Sequence, residues 1–137
     1  MKHRSKLFLL LGVLLLLLPG CDKPSTSSSS PDKSAPAETI RQLFARIQEG
    51  KIEDATKLCT ERYIGAQGGV ATVKSTFGAQ TPKIKEAGGV AVEILGVEMT
   101  GEVATVTFNL RYGNGTIEPC KYRLLKENGG WKHDGNA

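Results

Sequence analysis

Histidine is scarce in this sequence of 137 residues, which contains only His3 and His133. A zinc site that depends on histidine is not expected, because His3 lies in the N-terminal leader discussed below and only one imidazole remains. The pairs Gly68-Gly69 and Gly88-Gly89 lack the flanking Lys and Ser/Thr of a phosphate-binding loop. Since no nucleophile elbow or metal-ligand spacing is present either, the sequence predicts no metal and no cofactor.

Apolar runs are short as well. The run from Leu7 to Leu18 is interrupted only by Gly12, and as a helix it would reach about 18 Å, less than the roughly 30 Å of a bilayer core. A permanent membrane span is therefore not expected. The basic residues Lys2, Arg4 and Lys6 precede the run with no acidic residue among them, which is typical of an export signal that is removed.

The export signal ends at a cysteine, where Leu18-Pro19-Gly20-Cys21 resembles the lipobox of bacterial lipoproteins. The resemblance implies removal of residues 1–20 and acylation of Cys21 by a diacylglyceryl thioether and, in many bacteria, an N-acyl chain. The protein would then face the periplasm or the cell surface from a membrane. Asp22 resembles the inner-membrane retention signal of enteric bacteria. An ordinary cleaved signal with an incidental cysteine, or a retained signal anchor, is the alternative.

Positive charge is also modest once the leader is removed. Loss of Lys2, Arg4 and Lys6 lowers Lys+Arg from 18 to 15 against 14 Asp+Glu, so the formal net charge falls from +4 to +1. No basic patch with interleaved aromatic residues remains, and nucleic acid is not an expected partner.

Residues 21–36 consist mainly of Ser, Pro, Lys, Asp and Thr, with hardly an apolar side chain. Such a segment cannot bury enough surface to offset its ordering entropy, which predicts a disordered tether. Residues 37–137 are then long enough for a single domain with one modest core.

Helical periodicity dominates the first half of this domain. A stripe formed by Ile40, Leu43, Phe44 and Ile47 predicts an amphipathic helix that ends near Gly50. Two further helices are predicted, one with its apolar face at residues 52–59 and one that carries Val70, Val73 and Phe77.

Alternation replaces helical periodicity after Pro82 and predicts strands. The apolar residues of 90–94 and those of 97–99 have opposite parity, so a β-bulge near Gly96 is expected to return both sets to one face. Residues 104–112 alternate strictly, and Asn114-Gly115 predicts a two-residue type I′ hairpin. With a strand at 120–124 and another at Trp131, the sequence predicts an α+β domain with its helices packed on a bent four-stranded antiparallel sheet.

This order of elements resembles the cone fold of the nuclear transport factor 2-like superfamily and, more closely, a domain of unknown function that recurs in small bacterial lipoproteins of that superfamily. A cystatin-like helix-on-sheet domain is the alternative architecture. The residues that carry the resemblance are Ile40, Leu43 and Phe44 in the first helix, Gly50, Ala55 and Leu58 at the step into the second, and Gly129-Gly130-Trp131-Lys132 at the last strand.

The resemblance also indicates where a site would lie. Enzymes of the superfamily, such as ketosteroid isomerase and scytalone dehydratase, use an acid, a histidine or a tyrosine in the mouth of the cone. The candidate cavity residues in this chain are Tyr63, Tyr112, Glu118, Tyr122 and His133. Each also has a structural interpretation: Glu118 as a solvated strand end, the tyrosines as core residues with solvated hydroxyls, and His133 as part of a frayed terminus.

We therefore expect a lipid-anchored cell-envelope lipoprotein whose domain binds a small apolar ligand or a partner protein, and no catalysis. The alternative is a small isomerase or dehydratase, for which a buried Glu118 or His133 would have to face a second polar group. A purely structural envelope component would instead fill the cone with its own side chains.

Two cysteines remain after Cys21, and an exported domain with an even pair usually forms a disulfide. Cys59 and Cys120 are both predicted to point into the helix–sheet interface, which favours a bridge between them. Two separate buried thiols that act as small hydrophobic groups are the alternative.

Overall fold

The fold is a set of helices followed by a four-stranded antiparallel sheet. In the computed structural model, which describes residues 32–137, the predicted signal peptide, Cys21, Asp22 and most of the predicted tether lie outside the described residues. The elements are α1 (Ser34–Gln48), α2 (Ile52–Lys57), α3 (Glu61–Ala66), α4 (Val70–Glu86), β1 (Val90–Thr100), β2 (Val103–Tyr112), β3 (Ile117–Glu127) and β4 (Gly130–Asn136).

The sheet is a meander in the order β1-β2-β3-β4 with antiparallel pairing throughout. The predicted bulge is confirmed, since the register of β1 against β2 shifts between Ile94 and Gly96. Residues of both parities in β1 consequently pack on the core, including Val92 and Val97, while the extra residue Leu95 points outward and is exposed. A second shift between Arg123 and Leu124 bends the sheet again near β4.

Helix α1 contacts β1, β2 and β4 as well as α2 and α4. Its predicted apolar stripe is confirmed, and the residues of the stripe pack into two different core clusters. Ile40 and Phe44 join the cluster on the sheet, whereas Leu43 and Ile47 join a second cluster made by the other helices. The helix ends at Gln48, close to Gly50 as predicted. Gly50 has a φ of 75° and completes a Schellman motif by donating to the Ile47 carbonyl.

The ordered domain begins earlier than predicted. Helix α1 starts at Ser34, whose backbone N–H and hydroxyl both donate to the Asp32 carboxylate, and the Pro36 side chain is fully buried. The predicted tether through residue 36 was therefore too long by about one helical turn. The reason is that Pro36 supplies apolar surface that a composition dominated by serine conceals.

Two helices differ from the prediction. Helix α3 was not predicted, because it has no apolar stripe and no buried residue. Its local signal is Thr60, whose hydroxyl accepts the Tyr63 N–H at 3.0 Å as an N-cap. Helix α4 continues through Pro82, where the sequence had predicted an end. Pro82 is exposed, and Ile84 beyond it is buried in the helical core, which offsets the lost backbone hydrogen bond.

The turn with type I′ geometry is also not the one that was predicted. At Asn114-Gly115 only Gly115 has a positive φ, and Gly115 donates to the Tyr112 carbonyl, so the type I′ prediction was wrong there. The Asn114 side chain instead accepts the Thr116 N–H at 2.9 Å, as in an Asx turn. The turn with two positive φ angles, as type I′ requires, lies at Asn128 (52°) and Gly129 (79°).

The β2–β3 hairpin tip is attached to the end of α4. Gly113 donates to the Gly89 carbonyl at 3.0 Å, and Asn114 donates to the Ala87 carbonyl at 2.8 Å. A Cβ atom at Gly113 would lie only 2.2 Å from the Gly88 carbonyl oxygen, so this close approach requires glycine. The contact fixes one wall of the cavity described next.

Candidate functional site

A cavity of about 420 Å³ opens between α1, α4 and the hairpin of β2 and β3, and is called here the hairpin cavity. Its volume is within the range of small-molecule sites. The lining residues are Phe44, Gln80, Lys83, Ile84, Ala87, Leu110, Tyr112, Asn114, Thr116, Glu118 and Tyr122.

The inner wall of the hairpin cavity is apolar. Phe44 comes from α1, Ile84 from α4 and Leu110 from β2, and each side chain is almost completely buried. Phe44 packs on Tyr122 with their ring centroids 6.2 Å apart. These side chains belong to the two core clusters, so the wall is held by the same packing that holds the fold.

Polar groups gather at the hairpin side of the cavity. The Tyr112 hydroxyl donates to Glu118 Oε2 at 3.1 Å, because Glu118 pairs with Leu110 across the β2–β3 ladder, two residues from Tyr112. Burial, followed by the hydrogen bond to Glu118, raises the pKa of Tyr112 to about 12, so the hydroxyl stays protonated and acts as a donor. Glu118 is exposed, as the solvated strand-end interpretation predicted.

The structure divides the five candidate cavity residues. Tyr112, Glu118 and Tyr122 line the hairpin cavity together. Tyr63 lines a second cleft, and His133 lies between the two, with its ring centroid 4.6 Å from that of Tyr63 and 4.4 Å from that of Tyr122. Aromatic rings therefore connect the two sites through the interior.

His133 is not frayed, contrary to the expectation from its position near the C-terminus. Only 3% of the residue is exposed, and its backbone forms a parallel bridge with Cys59, donating to Leu58 and accepting from Thr60. Its Nδ1 atom is buried and has no hydrogen-bond partner among residues 32–137. Burial lowers the pKa of His133 to about 4, partly offset by Asp134, so the imidazole is neutral at neutral pH.

The second cleft, of about 360 Å³, contains a buried carboxylate that sequence reasoning missed. The Asp134 side chain is fully buried and accepts hydrogen bonds from Thr60 at 2.6 Å, from Arg123 at 3.0 Å and from two atoms of Arg62. Burial opposes ionisation most strongly, but the bonds from Arg62, Thr60 and Arg123 together hold the pKa of Asp134 below its ordinary value. No sequence signal identifies this network, because its members come from three separated elements.

Within the part of the chain that the structure describes, Cys59 and Cys120 are both free thiols, so the predicted disulfide between them is not formed. The backbone of Cys59 forms a β-bridge with His133, and His133 pairs with Leu124 in β3. Cys120 lies four residues before Leu124 on the same strand. That separation corresponds to roughly 13 Å of strand, more than a disulfide can span. Burial raises the pKa of Cys59 to about 12 and that of Cys120 to about 11, so both remain protonated at neutral pH.

Within residues 32–137, no cluster of three or more His, Cys, Asp or Glu side chains is arranged to hold a metal ion. The same part of the chain contains no helix with the length and apolar character needed to cross a membrane.

No protein-family model matches the sequence, and no curated protein matches it either. Solved structures do match. A Campylobacter jejuni protein with the provisional name of an NTF2-like transpeptidase has a TM-score of 0.63 at 12% identity, over 72% of this chain and 96% of that chain. A Nostoc punctiforme domain of unknown function with a cystatin-like fold has a TM-score of 0.57 at 14% identity, over 76% and 74%.

A third structure, a Streptomyces avermitilis protein of the NTF2-like family with the provisional name of a dehydratase, has a TM-score of 0.51 at 15% identity, over 77% of this chain and 96% of that chain. At such identities the likeness concerns the fold and not the activity. The predicted fold is confirmed: helices pack on a curved four-stranded antiparallel sheet, as in nuclear transport factor 2-like and cystatin-like proteins.

Proposed function

We propose that the domain binds a small, largely apolar ligand in the hairpin cavity and does not catalyse a reaction. The observation that carries this proposal is the open space of about 420 Å³ between a buried apolar wall and the Tyr112–Glu118 hydrogen bond. An apolar ligand would remove this wall from water, while the polar pair would orient it.

The arrangement of the polar groups supports binding over chemistry. Glu118 is exposed, and its carboxylate is already engaged by the Tyr112 hydroxyl. His133 does not line the hairpin cavity, and its buried Nδ1 has no polar partner among the residues that the structure describes. Glu118 therefore lacks burial in an apolar environment, and His133 lacks access to the ligand, both of which favour a general base in such a cavity.

Filling the cavity is expected to abolish binding. Ala87 lines the cavity at the end of α4 and is half-buried, so Ala87→Phe should occupy the space that a ligand needs. With the neutral fluorescent probe N-phenyl-1-naphthylamine, we expect the probe affinity to fall at least about tenfold, as expected for the loss of one well-buried apolar group.

The matched control is Ala79→Phe, which adds the same side chain to an exposed position of α4 outside the cavity. It should leave the probe affinity unchanged. Equal probe binding by both variants would contradict the proposal, because the probe would then bind elsewhere.

An enzyme remains the second candidate because the Tyr112–Glu118 pair places a donor and a carboxylate at one cavity. A small isomerase or dehydratase could use Glu118 as a base and Tyr112 as a donor to a developing oxyanion. In that case Glu118→Gln would abolish turnover of a substrate while leaving its binding nearly intact. Under the binding proposal the same substitution changes affinity only.

We also propose that the protein is a membrane-anchored lipoprotein of the cell envelope, on the basis of the lipobox-like sequence at Cys21. Each buried methylene contributes about 0.8 kcal/mol to membrane binding, so two or three acyl chains would anchor the chain stably. The Ser/Pro-rich residues before α1 would keep the domain away from the bilayer. Asp22 favours retention in the inner membrane.

The anchoring proposal predicts that Cys21→Ala abolishes incorporation of labelled fatty acid and releases the protein from the membrane fraction or leaves it as unprocessed precursor. Ser25→Ala, in the same segment, should behave like the unmodified chain. An unchanged mass and an unchanged membrane fraction for Cys21→Ala would show that the cysteine is not acylated.

A further inference from the structure

Two charges of opposite sign line the hairpin cavity. Lys83 comes from the last turn of α4 and Glu118 from β3, and both line the cavity. Among the described residues, neither forms an ion pair with the other or with a third group.

Elsewhere in the described part of the chain, exposed charges on the helices commonly find partners. Lys57 pairs with Asp54 at 3.6 Å, and Lys74 pairs with Glu53 at 3.8 Å across two helices. On the sheet, Arg111 pairs with Glu93 at 2.9 Å. Other charges of the described residues, such as Lys85 and Glu98, are likewise outside these pairs. What distinguishes Lys83 and Glu118 is that the two opposite charges line one partly apolar cavity.

The carboxylate is also held in position. The Tyr112 hydroxyl donates to Glu118 Oε2 at 3.1 Å, and the raised pKa of Tyr112 keeps this donor protonated. The other carboxylate oxygen has no partner among residues 32–137. Glu118 thus presents an oriented acceptor for a cationic group or for a neutral N–H donor.

The charges restrict the class of ligand. A purely anionic amphipath that paired with Lys83 would approach the Glu118 carboxylate, and a purely cationic one would approach the Lys83 ammonium. Like charges brought together oppose binding. A zwitterion can satisfy both side chains and still place an apolar body against the wall formed by Phe44, Ile84 and Leu110.

We propose that the ligand of the hairpin cavity is a small zwitterion with an apolar body, such as an apolar dipeptide, whose ammonium binds Glu118 and whose carboxylate binds Lys83. This inference rests on the proposed binding function of the same cavity and specifies its ligand class. The apolar wall contributes affinity, and the two charges determine the orientation of the ligand.

The test uses the dipeptide Leu-Phe and three blocked forms: the N-acetyl dipeptide, the dipeptide amide, and the N-acetyl dipeptide amide, which is neutral. Calorimetric titration of the full chain at pH 6.5 keeps the terminal amine of the free dipeptide protonated. Blocking either end is expected to weaken binding about fivefold, as for ion pairs between exposed groups.

Two variants assign the ends of the ligand. Lys83→Met should bind Leu-Phe and its amide equally well, while Glu118→Gln should bind Leu-Phe and its N-acetyl form equally well. The matched controls are Lys85→Met, on the same helix turn, and Glu98→Gln, on β1; both positions are exposed and lie outside the cavity. Each control should still bind free Leu-Phe more tightly than its amide and more tightly than its N-acetyl form, as the unmodified protein is expected to do.

The outcomes separate this inference from the function on which it rests. If the neutral blocked dipeptide binds as tightly as free Leu-Phe, or if the variants leave the end preferences unchanged, the zwitterion inference is overturned while apolar binding stands. If none of the four compounds binds and N-phenyl-1-naphthylamine does not bind either, both are overturned. Binding of the naphthylamine without any of the dipeptides rejects the inference alone.

Discussion

Replacement of Asp134 by alanine is expected to lower the free energy of unfolding by about 3 kcal/mol. The fully buried carboxylate connects Thr60 before α3, Arg62 in α3 and Arg123 in β3 to the last strand. Breaking a buried ionic network commonly costs about 3–5 kcal/mol. The lower end is expected because the Arg62 side chain is 61% exposed and that of Arg123 is 40% exposed, so both can return to water.

Urea unfolding at pH 7 measures this loss, and Glu38→Ala is the matched control. Glu38 is also an acid paired with an arginine, but both side chains are about half exposed, so its removal should cost less than about 0.5 kcal/mol. If the two variants lost equal stability, the Asp134 network would contribute no more than an ordinary surface pair.

Acidification is expected to destabilise the protein well above the range in which carboxylates titrate, because of His133. Its ordinary pKa of 6.5 is lowered to about 4 in the folded state, so between these values the unfolded chain binds a proton that the folded chain excludes. Stability is fully present above pH 6.5 and is lost as the pH falls toward 4. The linkage amounts to about 2 kcal/mol by pH 5 and about 3 kcal/mol by pH 4.

His133→Phe tests this assignment, because phenylalanine keeps an aromatic ring between Tyr63 and Tyr122 and has no titrating group. Its free energy of unfolding should be nearly constant between pH 7 and pH 5, whereas that of the unmodified protein falls. An equal fall in the variant would assign the acid sensitivity to other groups.

The inward-facing residues of the sheet and the bulge in β1 were predictable from sequence because one face of the sheet is buried. Burial imposes a period of two, and the parity change between Ile94 and Val97 then implies a bulge. The end of α1 was predictable for a similar reason, since Gly50 must adopt a positive φ. These features depend on local chemistry or on one buried face.

The remaining features depend on contacts between distant segments. Nothing near Asp134 in the sequence indicates that Thr60 and Arg62 meet it, and nothing near His133 indicates the bridge to Cys59. The disulfide prediction failed for the same reason: direction toward a common interface can be inferred from parity, but distance along the strand requires the register between elements. The cavity candidates divided into two sites for this reason as well.

The bulge in β1 changes the curvature of the sheet without changing which side chains its inner face buries. A chain without Leu95 would alternate regularly from Val90 to Met99, and the same side chains would still face inward, because the extra residue lies between the two sets of opposite parity. Such a chain would lose the bend and not the hydrophobic content. The curvature of the concave face is thus encoded by one additional exposed residue. Two homologous strands with the same inward-facing side chains, but with lengths that differ by this one residue, could therefore enclose different ligands.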